Sequence, residues 1–226
     1  MALELEDAPI HPQSDAAKFF DSFAEGFDTL YDGRRSFVMR WLDRQLRSDM
    51  FIRFALTFER LGDLQGKTVL DIGCGSGPYI IEALRRGAVK TSAVDPAEGM
   101  LDLTRKKLKT AGFLDRCKLV EGLFPGVNLT RHDHVIVMGV MDYVEDAVGF
   151  LREMRPLVGV SAAVSFPSRH WLRTPLRKFR YRLRNCPVYF YNAYDIKNLC
   201  SAAGFSGIEI KKIPGAGMDY HVLLKP

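Results

Sequence analysis

The chain has 226 residues, 47% of them apolar, which suits one domain with a full hydrophobic core. No apolar run is long enough to span a membrane, and the start MALELEDAPI has neither the basic nor the apolar segment of a secretory leader, so a cytoplasmic protein is expected. The formal net charge is +5, yet Arg169, Arg173, Arg177, Lys178, Arg180, Arg182 and Arg184 carry the whole excess: without them 25 basic residues face 27 acidic ones, which argues against a broad nucleic-acid surface and for one confined anion-facing element.

Residues 1–15, with two prolines and several acids, read as a loose tail. Over 16–62 apolar residues recur every three to four positions. Phe19, Phe20, Phe23, Phe27, Leu30 and Tyr31 come first, then Phe37, Val38, Trp41 and Leu42, then Phe51, Phe54, Ala55, Phe58 and Leu61, with Gly62 as a C-terminal stop. This predicts an N-terminal helical lid. From 63 onward β-rich runs alternate with helical ones. KTVLDI is a strand, GPYIIEALRRG a helix closed by Gly87, KTSAVD a strand, and PAEGMLDLTRKKLKTAG a helix with Pro96 suited to its first position and Gly112 after its end. CKLVEG and DHVIVMG follow as strands, DYVEDAVGFLREMRPL as a helix and GVSAAVSF as another strand. The helix YNAYDIKNLCSAAGF then leads into GIEIKKI and MDYHVLLK, two strands joined by PGAG. The pattern predicts a mostly parallel α/β sandwich that ends in an antiparallel hairpin, with 167–191 as a substrate-side insertion. The cysteines Cys74, Cys117, Cys186 and Cys200 are widely spaced and form no C-x-x-C, so no disulfide framework and no metal site are expected.

A ligand site in such a sheet lies beyond the carboxyl ends of the strands, where the first strand feeds a glycine loop. VLDIGCGSG fits that place. Gly73, Gly75 and Gly77 follow a G-x-G-x-G spacing, whereas a dinucleotide fingerprint needs its third glycine where Pro78 stands. Asp95, at the end of the second strand and 20 residues after Gly75, supplies a carboxylate suited to paired ribose hydroxyls. It also suits a helix N-cap, which needs only one of its oxygens.

In VLDIGCGSG, AVDPAEGML and HDHVIVMGVMDYVED, with AAGF before the closing strands, the chain resembles the class I S-adenosylmethionine-dependent methyltransferases, small-molecule type, and partly the magnesium-protoporphyrin O-methyltransferase group. The resemblance implies a Rossmann-like sheet of seven strands with the last antiparallel, and S-adenosylmethionine as cofactor with S-adenosylhomocysteine as product. It further implies that the backbone of Gly73, Cys74 and Gly75 approaches the methionine moiety, that Asp71 orders the loop, and that Asp95 holds the ribose beside Pro96. Met100, Leu123 and Phe124 would enclose adenine, the Gly139 carbonyl would lie near the methionine amine, and Tyr31 would act as a lid tyrosine. Many relatives carry an aspartate where this chain has Leu123. Several residues have simpler roles available: Gly77 as a close-packing position, Cys74 as a small loop filler, Met100 and Phe124 as core, Tyr31 as part of an apolar stripe.

Methyl transfer from a sulfonium is an in-line displacement, so alignment is the main task and a base is needed only for an acceptor that keeps its proton. His170, Asp142 and Tyr143 are the catalytic candidates, with His170 preferred. Asp142 with Glu145 also fits a capping box for the next helix, and His221 is read as structural. In the insertion, Arg173 and Arg177 belong to an arginine stripe at helical spacing beside Leu172, Leu176, Phe179 and Leu183, which suits either an anionic substrate or a solvated face. The absence of N/D-P-P-Y/F after the fourth strand argues against a nucleic-acid base as acceptor. The leading expectation is methylation of a small anionic or aromatic metabolite at oxygen; an RNA methyltransferase, a nicotinamide-dependent oxidoreductase and a non-catalytic cofactor-binding protein are the alternatives.

Overall fold

The structure, a computed structural model, describes residues 50–168, 188–213 and 219–226. The part of the expected lid that precedes residue 50, including Tyr31, lies outside the described residues, as does most of the expected insertion with His170, Arg173 and Arg177. In chain order the elements are α1 (50–61), β1 (Thr68–Ile72), α2 (Pro78–Arg85), β2 (Lys90–Asp95), α3 (Glu98–Thr110), β3 (Cys117–Glu121), β4 (His132–Val137), α4 (Ala147–Met154), β5 (Val158–Phe166), α5 (Ala193–Ala202), β6 (Gly207–Lys212) and β7 (Tyr220–Lys225).

One seven-stranded sheet runs in the order β3-β2-β1-β4-β5-β7-β6. Strands β1 to β5 are parallel, and β7 enters antiparallel between β5 and β6. Strand residues divide by parity, because successive side chains point to opposite faces. Leu70, Ile72, Val135, Val137, Ala162 and Val164 meet α4 and α5 on one face, while Val69, Ile136 and Ala163 meet Phe58 and Leu61 of α1 and Ala83 of α2 on the other. Both faces are covered, which explains why the central strands read as continuous apolar runs.

Three local expectations are corrected. The helix after β4 starts at Ala147, not at Asp142, and its N-cap is Asp146, whose carboxylate accepts from the Gly149 N–H at 2.8 Å. Residue 142 is tied elsewhere, its carbonyl accepting from Tyr189 N at 2.9 Å with its side chain buried, so the Asp142–Glu145 box does not form. Pro96 precedes the N-cap of α3 rather than opening the helix, because Asp95 Oδ1 accepts from Ala97 N at 3.0 Å and turns the chain before Glu98. On α1, Phe54, Phe58 and Leu61 pack inward as expected, but Phe51 and Ala55 are exposed. The helix gives part of its buried face to polar residues instead.

Those polar residues form a seam with β7. Arg60 Nη1 donates to His221 Nδ1 at 3.0 Å and to His221 O at 3.1 Å, and Arg60 Nη2 donates to Glu209 O at 3.0 Å and Oε2 at 3.2 Å. Arginine has no acceptor, so Nδ1 carries the lone pair and the His221 proton sits on Nε2, 3.2 Å from Thr57 Oγ1. The Thr57 hydroxyl passes its own proton to Arg53 O at 2.8 Å. Burial, then the charges of Arg60, Arg53 and Lys211, push the fully buried His221 ring down to about 3, and the structural role expected for it fits this neutral state.

The unfolded chain protonates this histidine below about pH 6.5 while the folded chain does not, so stability is independent of it at neutral pH and falls as pH drops from about 6.5 toward about 3. At pH 5 the loss from this ring is expected to be about 2 kcal/mol. Histidine-ring NMR should show His221 neutral at pH 5 with the proton on Nε2, and urea unfolding should show the decline below pH 6.5.

Candidate active site

The cleft opens where topology places it, beyond the carboxyl ends of β2, β1 and β4. It encloses about 220 Å³ and is walled by Ile72, Val94, Met100, Phe124, Met138 and Val140 together with the glycine loop. The loop is held from below. Gly73 N and Cys74 N both donate to Val94 O, at 2.8 and 3.0 Å, and Gly77 N donates to Cys74 O at 3.0 Å. Gly75 N donates to Asp95 Oδ2 at 2.8 Å while Thr104 Oγ1 donates to Gly75 O at 2.8 Å. These amides are therefore committed within the protein. A pyrophosphate cradle works by turning free N–H groups toward the anion, and those of Gly73, Cys74, Gly75 and Gly77 do not offer that.

What the loop offers instead is proximity. Gly73 has φ +76°, and a Cβ there would stand 2.3 Å from Val140 Cγ2, so only glycine lets this backbone run along the cleft floor. Asp95 bonds through both oxygens to backbone amides, which fixes the carboxylate at the cleft edge.

The cleft brings together Gly73, Cys74, Gly75, Asp95, Pro96, Met100, Leu123, Phe124, Gly139 and Tyr143. Asp71, Gly77 and Asp142 are not part of its lining. Asp71 is buried behind the loop, its Oδ2 without a hydrogen-bond partner among the described residues, and burial, then the charge of Asp95, raises its pKa well above the usual carboxylate range. Gly77 packs against α3, where a Cβ would meet Thr104 Cγ2 at 2.7 Å. Asp142 is buried close enough to Arg53 and Tyr191 to act on both electrostatically. Burial, followed by the charges of Asp71 and Asp95, drives the Cys74 thiol well upward, so it remains a protonated filler rather than a nucleophile.

Three residues were missed by sequence reasoning. Ser165 of β5 accepts from Gly139 N at 2.8 Å and so sets the loop after β4. Tyr79 stacks with Phe54 and Phe58 of α1, at ring-centroid distances of 5.0 and 6.1 Å, fixing the helix over the cleft. Arg53 reaches the cleft from that helix. Their signals are long-range pairings, which no local pattern carries.

A family profile described as "Methyltransferase domain" matches residues 69–159, from β1 into β5. Residues 69–159 thus carry a methyltransferase domain, and the comparisons together support a class I S-adenosylmethionine-dependent methyltransferase. The ubiquinone biosynthesis O-methyltransferase of Neisseria meningitidis is 29% identical over 175 residues, 71% of each chain. The tRNA U34 carboxymethyltransferase of Idiomarina loihiensis is 31% identical over 121 residues, which is 52% of this chain and 37% of that protein. Among solved structures, magnesium protoporphyrin IX methyltransferase from Synechocystis PCC 6803 with bound SAH superposes with a TM-score of 0.75 at 22% identity, covering 94% of this chain and 97% of the other. The same methyltransferase with bound SAM gives 0.70 at 20% identity. The expected seven-stranded methyltransferase fold and its cofactor class are thus borne out.

Gly73→Ala should impose a strained backbone together with the Val140 contact, costing about 1–3 kcal/mol of stability. Calorimetric titration with S-adenosylhomocysteine should show affinity weakened at least about tenfold.

Proposed function

We propose that the protein transfers a methyl group from S-adenosylmethionine to a small anionic or aromatic metabolite at oxygen, and that it acts in the cytoplasm. The observation that carries the cofactor part of this reading is the committed glycine loop: amides already bonded to Val94 and Asp95, beside a fixed carboxylate and an apolar slot, fit a nucleoside whose linkage carries no negative charge better than a pyrophosphate. Asp95 would hold the ribose, Met100, Leu123 and Phe124 the adenine, and the backbone from Gly73 to Gly75 together with Gly139 the amino-acid portion.

The bound cofactor supplies a sulfonium-activated methyl group. The chain's contribution is alignment and exclusion of water, for which effective-molarity gains of up to roughly 7–11 kcal/mol are available. Of the three catalytic candidates Tyr143 lines the cleft, which supports it over Asp142, which lies off the cleft; His170 lies outside the described residues. A base at Tyr143 or His170 would be required for a hydroxyl acceptor and superfluous for a carboxylate. The small-molecule acceptor is supported by relatives named for ubiquinone biosynthesis and magnesium protoporphyrin IX, and by the missing base-gripping motif after β4. The relative named for tRNA U34 gives RNA as the second reading. Among the described residues no helix is long and apolar enough to cross a membrane.

Incubating the protein and its Asp95→Ala variant with methyl-labelled S-adenosylmethionine and cell extract, then fractionating the label, tests the reading. Label should enter the small-molecule fraction and fall roughly 10- to 100-fold with Asp95→Ala, as expected for losing charge-assisted bonds to the ribose. Asp95-dependent label in RNA would overturn the acceptor class. Replacing Arg173 and Arg177 with glutamine should raise acceptor KM and leave cofactor affinity unchanged; an unchanged KM would remove the arginine stripe from the substrate site.

A further inference from the structure

The connection from β4 to α4 supplies Met138, Gly139, Val140, Tyr143 and Val144 to the cleft wall. Of these only Tyr143 has a polar side chain. Tyr143 N donates to Val140 O at 2.9 Å, which closes the connection into a turn, while the carbonyls on either side of Tyr143 find their donors far along the chain.

Those donors belong to Tyr189 and Tyr191. Tyr189 N donates to Asp142 O at 2.9 Å, and the Tyr191 hydroxyl lies 3.5 Å from both Met141 O and Val144 O, with one proton to share between them. Three carbonyls bracketing Tyr143 are thus met by one short stretch. That stretch is itself anchored to the end of β5: Tyr191 N donates to Pro167 O at 2.9 Å, Tyr191 forms a parallel bridge with Ser168, and its ring stands edge-on to Phe166 at 5.3 Å between centroids. The hydroxyl is therefore fixed in place. Burial, then the charges of Asp142 and Tyr189, raise its pKa to about 12, so it keeps its proton and stays a donor. Met141 and Val144 bury their side chains in the core cluster that contains Tyr191, whereas Tyr143 between them is only half-buried.

We propose that Tyr191 is the positioning residue that sets Tyr143 against the methyl acceptor. The proposal rests on the reading of Tyr143 as an acceptor contact. Neither Tyr189 nor Tyr191 belongs to the cleft lining, so Tyr191 acts through the backbone on both sides of Tyr143 and not by touching a ligand. In-line displacement depends on alignment, and a displacement of about 1 Å at the acceptor can cost on the order of 100-fold in rate. Loss of this remote hydroxyl should therefore alter acceptor kinetics and spare cofactor binding.

The test is a double-mutant cycle on methylation of the cell-extract fraction that takes up label from methyl-labelled S-adenosylmethionine, read as the initial rate at high dilution, where it is proportional to kcat/KM. Tyr191→Phe keeps the ring and removes the hydroxyl. It should lower that rate roughly 10-fold, while affinity for S-adenosylhomocysteine by calorimetric titration stays within about twofold. In a Tyr143→Phe background the same substitution should lower the rate by less than about threefold, because the residue through which it acts has been altered. A merely structural tyrosine would give the same loss in both backgrounds. Thermal melts confirm that each variant is folded, and Tyr191→Met, which fills the space without a hydroxyl, carries the test if Tyr191→Phe is not. Equal losses in the two backgrounds, or no loss in either, overturn the proposal. Tyr143→Phe acting at the unaltered rate would instead overturn the reading of Tyr143 as an acceptor contact, and the proposal with it.

Discussion

The carbonyl of Val94 and the carboxylate of Asp95 hold the glycine loop from beneath, and the rest of the site depends on that. Two amides of the loop converge on one carbonyl and a third on the neighbouring carboxylate, while Thr104 of α3 takes the carbonyl of Gly75. A loop fixed at these points cannot rearrange to cradle a phosphate without breaking bonds inside a buried environment, where each unmade bond costs about 1–3 kcal/mol. The same contacts bring a bare backbone against the cleft. Here the chemistry of the ligand is selected by what the backbone has already committed, as much as by what it exposes.

A second constraint comes from the far end of the chain. Strand β7 enters antiparallel between β5 and β6 and presents His221 to α1. Burying a histidine there requires it to be neutral, and its Nδ1 accepts from Arg60 while its Nε2 proton goes to Thr57. The N-terminal helix, the last strand and the cleft are thereby linked through side chains more than 140 positions apart in sequence. On the opposite side Phe54 and Phe58 pack against Tyr79, at the start of the helix that follows the glycine loop. The helix is thus fixed on both flanks, which a residue projecting from it into the cleft needs if it is to meet a ligand in one geometry.

The relatives bracket the chemistry. Proteins named for O-methylation in ubiquinone biosynthesis and for magnesium protoporphyrin IX share most of this chain's length, whereas the tRNA-modifying relative shares about half of it. The arginine-rich stretch between β5 and α5 is distinctive in sequence alone, since most of it lies outside the described residues.

The sequence by itself determined the sheet and one edge of the cleft. Apolar runs alternating with helical periods, glycines after the helices and G-x-G-x-G ahead of Asp95 are local signals, set by backbone geometry that each short segment imposes on itself. Only the tertiary structure decided where β7 inserts, that Asp146 caps α4 once Asp142 is drawn into the interior, and that Arg53 reaches the cleft. Arg53, Thr57 and Arg60 read as an ordinary polar stripe beside an aromatic one, because nothing within a helical turn reveals that the polar side will be buried. Their partners Asp219, just ahead of β7, and His221, on it, lie more than 150 residues away, and a pairing made across that distance leaves no trace in local spacing.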